Sequence, residues 1–209
     1  MKTLFITNVG SHAWGMNRPD SDIDLFKVYL APSTDFLLGM RHEGGHQNQD
    51  GINDVASYEL GMVIKFALKN NFNFLIGILS PIVVEDWVKL KELKELTLKN
   101  LSRECFYSID GFYQHNYGHI RDGKLREDSQ KKRNVVGRVL ECGLRMIEGR
   151  GVEFKKPNKD HTRESLKELA EYLQDRLQLS PLPEKSEHEK EMLDWLLEIR
   201  ISELNTHPE

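Results

Sequence analysis

Two aspartates one residue apart, Asp22 and Asp24, carry the densest chemistry of the chain, in the stretch GSHAWGMNRPDSDIDLFKV at 10–28. The run that holds Asp24, IDLFKVYL, is β-rich, and in a strand side chains two residues apart leave the same face. The two carboxylates therefore project together. Like charges held that closely repel, and a divalent cation offsets the repulsion. Upstream stands Gly10, followed by Ser11. A glycine lets the backbone approach a phosphate closely, and a serine hydroxyl adds a donor. A helix opening at Ser11 turns its first N–H groups toward the same anion. A cation held by carboxylates beside a turn that holds phosphate is the outline of a phosphoryl-transfer site.

A third carboxylate on a neighbouring strand completes a cage for one or two magnesium ions, with manganese as the alternative. Asp54, inside the β-rich run INDVASYE, is the candidate; Asp50 and Glu59 are its alternatives. Magnesium takes hard oxygen ligands and is commonly shared between carboxylates and substrate phosphates. With two ions, one grips a triphosphate and the other lies between an attacking hydroxyl and the α-phosphate.

Other residue types suggest chemistry less specifically. Lys131, Arg138 and Arg145 are seven apart, along one stripe of a helix roughly opposite its apolar face. Lys131, Lys132 and Arg138 are the candidates for contact with a triphosphate or an RNA backbone; a solvated charged face is the plain alternative. His42 and His46 have the four-residue spacing of a helical zinc pair, but the two glycines of RHEGGH oppose a helix. His12 is expected at a pocket mouth. Tyr107, Phe112, Tyr113 and Tyr117 could stack a base, although packing explains them as well.

The elements that must position these residues can be read in order. Residues 3–8 and 23–30 read as strands, and Pro32 ends the second. TDFLLGM reads as a short helix, RHEGGHQNQDG as a polar loop and INDVASYE as a third strand. In LGMVIKFALKNN the apolar residues Leu60, Val63, Ile64, Ala67 and Leu68 recur at helical spacing. NFNFLIGIL reads as a second short helix, and IVVE as a short extended piece. Beyond Asp86 the pattern is helical. A helix with Val136, Leu140, Leu144 and Ile147 on one face ends near Gly149 and Gly151. Another follows, with Asn158 or Thr162 as its cap. A last helix carries Met192, Trp195, Leu196 and Ile199. The expected architecture is α/β of the α+β kind: a small mixed-sheet head at 1–85 flanked by helices, then a helical C-terminal region at 86–209.

The 209 residues carry a net charge of −4, which argues against a globally basic nucleic-acid binder. The charges are segregated, however. Residues 121–159 hold twelve basic and six acidic side chains, whereas 184–209 hold three and eight. Such segregation can place an anion-attracting patch on an acidic protein. No run of about 18 apolar residues appears, so no membrane contact is expected. MKTLFITNVG reads as a first strand rather than a signal peptide. Cys105 and Cys142 form neither a disulfide framework nor a zinc motif, which suits a cytoplasmic protein.

GSHAWGMNRPDSDIDLFKVYLAP resembles the signature of the DNA polymerase β-like nucleotidyltransferase superfamily, a Gly-Ser turn followed by an Asp-x-Asp strand. The Ala-aromatic-Gly after the serine, the PDSD turn and the closing YLAP look most like the bacterial and phage nucleotidyltransferases associated with RNA repair. DVASYELGMVIKFALKNNFNFLIGILSP is similar to that group's next stretch, with Phe72 and Ile76 where the group tends to carry a proline and a glutamate. The resemblance implies that Gly10 and Ser11 contact the triphosphate of an NTP. It makes Asp22 and Asp24 metal ligands, and Asp54 the carboxylate that activates the acceptor hydroxyl. The implied reaction moves a nucleoside monophosphate to an acceptor and releases pyrophosphate. An RNA end, a protein hydroxyl or a small molecule could be that acceptor, and a binding module that has lost catalysis is the remaining alternative.

Overall fold

The computed structural model describes residues 1–40, 42, 46–49, 53–121, 129–157 and 159–205. Strands β1 (Lys2–Asn8) and β2 (Ile23–Leu30) pair antiparallel and bury Leu4, Phe5, Phe26 and Val28. Between them lies α1 (Gly10–Ala13), a single turn. β4 (Asn53–Glu59) runs parallel to β2 on its other side. A parallel neighbour requires a crossover, and α2 (Ser33–Leu37) begins it. β3 (His46–Gln49) and β5 (Val83–Glu85) add antiparallel edges, giving the mixed order β3-β4-β2-β1-β5. The strand β3 corrects the reading of RHEGGHQNQDG as loop throughout. HQNQ has no apolar alternation to mark it; its pairing with β4 is a backbone ladder, to which a polar side-chain pattern gives no clue.

The remaining helices are α3 (Leu60–Leu68), α4 (Phe72–Leu79), α5 (Leu90–Lys99), α6 (Cys105–Arg121), α7 (Gln130–Ile147), α8 (Arg163–Leu177) and α9 (Glu189–Asn205). Their buried faces follow the helical spacing: Leu60, Val63, Ile64 and Ala67 on α3, Val136, Leu140 and Ile147 on α7, and Met192, Trp195 and Ile199 on α9. Thr162 caps α8 in a reciprocal box with Ser165, and Ser129 caps α7 by accepting from the Lys132 N–H. The alternative cap Asn158 lies outside the described residues. Among the described residues no single helix is long and apolar enough to cross a membrane. α3 and α4 reach that apolarity only as a pair bent by 119°, and both are packed into the core.

Two hydrophobic clusters hold these elements together, and each draws on both sides of residue 85. Ala13, Trp14, Phe72 and Leu75 pack with α6, α7 and α8. The sheet packs with α3, α4, α5 and the last helix, through Met192, Trp195 and Ile199. α9 is also fastened by charge. Arg200 pairs with the buried Glu59, donates to the Ala31 carbonyl at 2.9 Å and lies 4.4 Å from the Phe36 ring. Glu203 accepts the Ser33 N–H at 2.8 Å.

Glu59 also caps α3, accepting the Gly61 N–H at 2.6 Å. Removing Arg200 therefore leaves a buried carboxylate without its counter-charge, which costs about 3–5 kcal/mol. Arg200→Met is expected to lower the unfolding free energy in urea by about that amount. Adding Glu59→Gln, which removes the stranded charge, should recover part of the loss.

Candidate functional site

The site begins where β1 ends. The Val9 N–H donates to the Asp24 carbonyl at 2.8 Å, which brings the end of β1 against the start of β2. The chain then turns at Gly10 with φ +60, a region where a side chain is strained. Space gives a second reason for glycine here: a Cβ at this position would lie 1.7 Å from Asp24 Oδ2. Only a bare backbone lets the turn sit directly against that carboxylate. Ser11 follows, and α1 then carries Ala13 and Trp14 into the helical core. The loop after it is folded back by the Met16 N–H on the Ser11 carbonyl, 2.9 Å, and the Arg18 N–H on Ser21 Oγ, 2.8 Å.

Asp24 and Asp54 are register partners in the parallel ladder of β2 and β4, so they lie side by side on adjacent strands, about 4.8 Å apart in the backbone. Asp22 precedes β2 and is exposed at its mouth. The three carboxylates act on one another. Burial pushes the Asp24 carboxyl above its ordinary range, and the charges of Asp22 and Asp54 push it further, against the pull of Arg138 and His12. Asp54 Oδ1 is buried and has no hydrogen-bond partner.

Arg138, on α7, faces this group across the turn. Its guanidinium lies 4.9 Å from the Trp14 ring, and Nη1 makes a long contact of 3.4 Å with the Gly10 carbonyl. Burial lowers its pKa to about 10, which Asp24 resists, so it keeps its charge at neutral pH. Arg138 thus joins the helical region to the turn and places a positive charge that acts on Asp24.

A cavity of about 610 Å³ opens over these residues. Gly10, Ser11, Asp22, Asp24, Lys131 and Arg138 all line it. Asp54 is off the wall and reaches the site through its lateral neighbour Asp24. Lys132 is half-buried and not on the wall; its N–H goes to the Ser129 cap at 3.3 Å. His12 is not at the mouth either, and its Nε2 is buried without a hydrogen-bond partner. Glu59 is committed to Arg200 and the α3 cap, while Asp50 lies outside the described residues. A larger cavity of about 850 Å³ lies between β1, Trp87 and α9; its carboxylates are Glu198 and Glu203, and Glu203 is engaged by the Ser33 N–H.

The other candidates lie off the cavity wall. Arg145 pairs with Glu153 at 3.2 Å. Tyr113 is buried and stacks on Tyr117 at 4.9 Å, Phe112 packs on the same core, and Tyr107 is exposed and off the cavity wall. His42 bonds Asp35 at 2.9 Å and packs on Phe36; the side chain of His46 lies outside the described residues. Sequence reasoning missed Trp14 as the platform for Arg138, and the wall residues Lys156 and Lys159 from the connection between α7 and α8. The two lysines appeared only in a charge count.

Among the described residues, no three His, Cys, Asp or Glu side chains are grouped closely enough to hold a metal ion as they stand. The donor types nevertheless fit a hard divalent cation: Asp22, Asp24 and Asp54 crowd one another's charge, and Asp54 Oδ1 lacks any partner.

A glycine-serine turn seated on paired aspartates, in a small mixed sheet buttressed by helices, defines the class as a polymerase β-like nucleotidyltransferase head. The chain belongs to the RNA repair pathway DNA polymerase beta family, RlaP, whose family model matches residues 1–207 and so takes in the helical region as well. Its activity is accordingly of the nucleotidyltransferase type. No curated protein matches the chain.

Gly10→Ala forces a methyl group into Asp24 Oδ2. Displacing a reacting group by about 1 Å can cost about 100-fold in rate. Nucleotide transfer is expected to fall by about that factor, and the thermal unfolding midpoint, read by circular dichroism, to drop with the strain at φ +60 and the displaced Asp24 side chain.

Proposed function

We propose that the protein transfers a nucleoside monophosphate from an NTP to a hydroxyl at an RNA end, releasing pyrophosphate, with magnesium held by Asp22, Asp24 and Asp54. The observation that carries this reading is the pairing of Asp24 with Asp54 across β2 and β4, with the Gly10 turn packed on Asp24. Family membership supports the RNA end as acceptor.

The residues divide the work. Gly10 and Ser11 receive the polyphosphate against the bare backbone of the turn. Arg138 holds that turn from behind through the Gly10 carbonyl and keeps a positive charge beside Asp24. Asp54, beside Asp24 in the parallel ladder, is the carboxylate assigned to take the proton of the acceptor hydroxyl. The acceptor oxygen forms a bond to the α-phosphorus as the bond from that phosphorus to the bridging oxygen breaks. Both electrons of the broken bond leave with pyrophosphate. Magnesium, when bound, offsets the carboxylate charge and the charge that develops on the phosphoryl oxygens.

The test uses labelled ATP with a short RNA in one arm and lysate proteins in the other, each with magnesium and with excess EDTA. RNA is expected to gain label only with magnesium, and Asp22→Asn with Asp24→Asn to abolish it while leaving the circular dichroism spectrum unchanged. Transfer by the double variant at the parental rate would sink the metal-site reading. Label on protein instead of RNA would replace the acceptor.

A further inference from the structure

We infer that Lys156 and Lys159, in the connection between α7 and α8, are polyphosphate-binding residues of the cavity that the Gly10–Ser11 turn also lines; the inference rests on the nucleotidyl-transfer reading above. Three observations support it. The two lysines line the same cavity as Gly10, Ser11 and Asp24, on a wall that neither the sheet nor α1 provides. Among the described residues, neither lysine has an ion-pair partner, and the same holds for Lys131. Their neighbour Lys155 behaves differently, sharing Glu153 with Arg145 at 3.2 Å. A lysine ammonium without a counter-ion, facing a cavity, is available to an anion.

The connection is held in place by α7. Asn134 Nδ2 donates to Asp160 Oδ1 at 2.7 Å, and the His161 N–H donates to Asn134 Oδ1 at 3.1 Å. Gln130 Nε2 and Arg133 Nε both donate to the His161 carbonyl, at 3.0 and 3.1 Å. The buried His161 ring packs directly on α7 where Gly137 leaves room; a Cβ there would be 2.0 Å from its Cδ2. The helix that presents Lys131 and Arg138 thus also sets the position of Lys156 and Lys159. The lining therefore combines five cations, Arg18, Lys131, Arg138, Lys156 and Lys159, with the carboxylates of Asp22, Asp24 and Asp160. That arrangement suits a ligand that is anionic along its length and brings its own divalent cation, which describes a magnesium–NTP better than an isolated phosphate.

The experiment measures ATP binding to the full chain by calorimetry with magnesium present, and repeats it in competition with inorganic tripolyphosphate. Lys156→Ala with Lys159→Ala is expected to weaken ATP about tenfold or more, as loss of charge-assisted contacts does. Tripolyphosphate should lose its ability to compete to a similar degree. The thermal midpoint should not move, and the paired Lys→Arg variant should restore binding. ATP affinity within twofold of the parent chain would overturn the inference. If ATP binding holds but affinity for a short RNA falls, the lysines serve the acceptor, and the inference fails while the transfer reading stands. A parent chain that binds no NTP would remove both.

Discussion

Everything at the site depends on how closely one strand end approaches another. Gly10 lies against Asp24 with no room for a methyl group, and the Val9 N–H on the Asp24 carbonyl holds the two strands at that distance. The contact is unfavourable in isolation, since it partly buries a carboxylate that already has two carboxylate neighbours. It persists because larger forces surround it. Phe5 and Val28 are fully buried in the strands that form the approach, and Trp14 just beyond the turn is anchored in the helical core. Burying a large apolar side chain stabilises by about 1.5–3 kcal/mol, so a few such anchors outweigh one compressed acidic pair.

The helical half is therefore part of the site. Arg138 shows this most directly: it is rooted in α7, stacked on Trp14 and aimed at the carbonyl of Gly10. Its charge opposes the mutual repulsion of the carboxylates, more strongly at Asp24 than His12 does. Without it, burial and the charges of Asp22 and Asp54 would push the Asp24 carboxyl further above its ordinary range. α9 does the equivalent service for the sheet by neutralising the buried Glu59 at the far end of β4 from Asp54. One strand thus has its first half in the site and its last residue locked to the chain's last helix.

Legibility in the sequence followed how local each signal was. The turn, the Asp-x-Asp strand, Asp54 on a separate strand and the helix faces all depend on near neighbours, and the elements formed where periodicity put them. β3 was hidden because a polar edge strand is defined by backbone pairing with distant residues. The roles of the basic side chains were hidden for a related reason. Lys131, Lys132 and Arg138 look equivalent along α7, yet Lys131 lines the cavity, Lys132 stands off it and Arg138 lies beneath the turn. What separates them is contact with Trp14, Gly10 and the connection to α8, none of which helical spacing encodes. Lys156 and Lys159 were less visible still, because their place is set by hydrogen bonds from Asn134 and Gln130, more than twenty residues away in sequence.

Net charge is consequently a poor guide to what this protein attracts. The chain is acidic by four charges, and α9 and its approach concentrate that excess. The cavity walls carry Arg18, Lys131, Arg138, Lys156 and Lys159 against Asp22, Asp24 and Asp160. Exposed charges more than about 8 Å apart are largely screened at physiological salt, so the charges lining the cavity weigh more with an incoming anion than the net charge of the chain does. Cations and carboxylates thus line one cavity together. On the reading proposed above, a bare polyanion would be attracted by the first and repelled by the second. A polyanion that carries a divalent cation would be attracted by both.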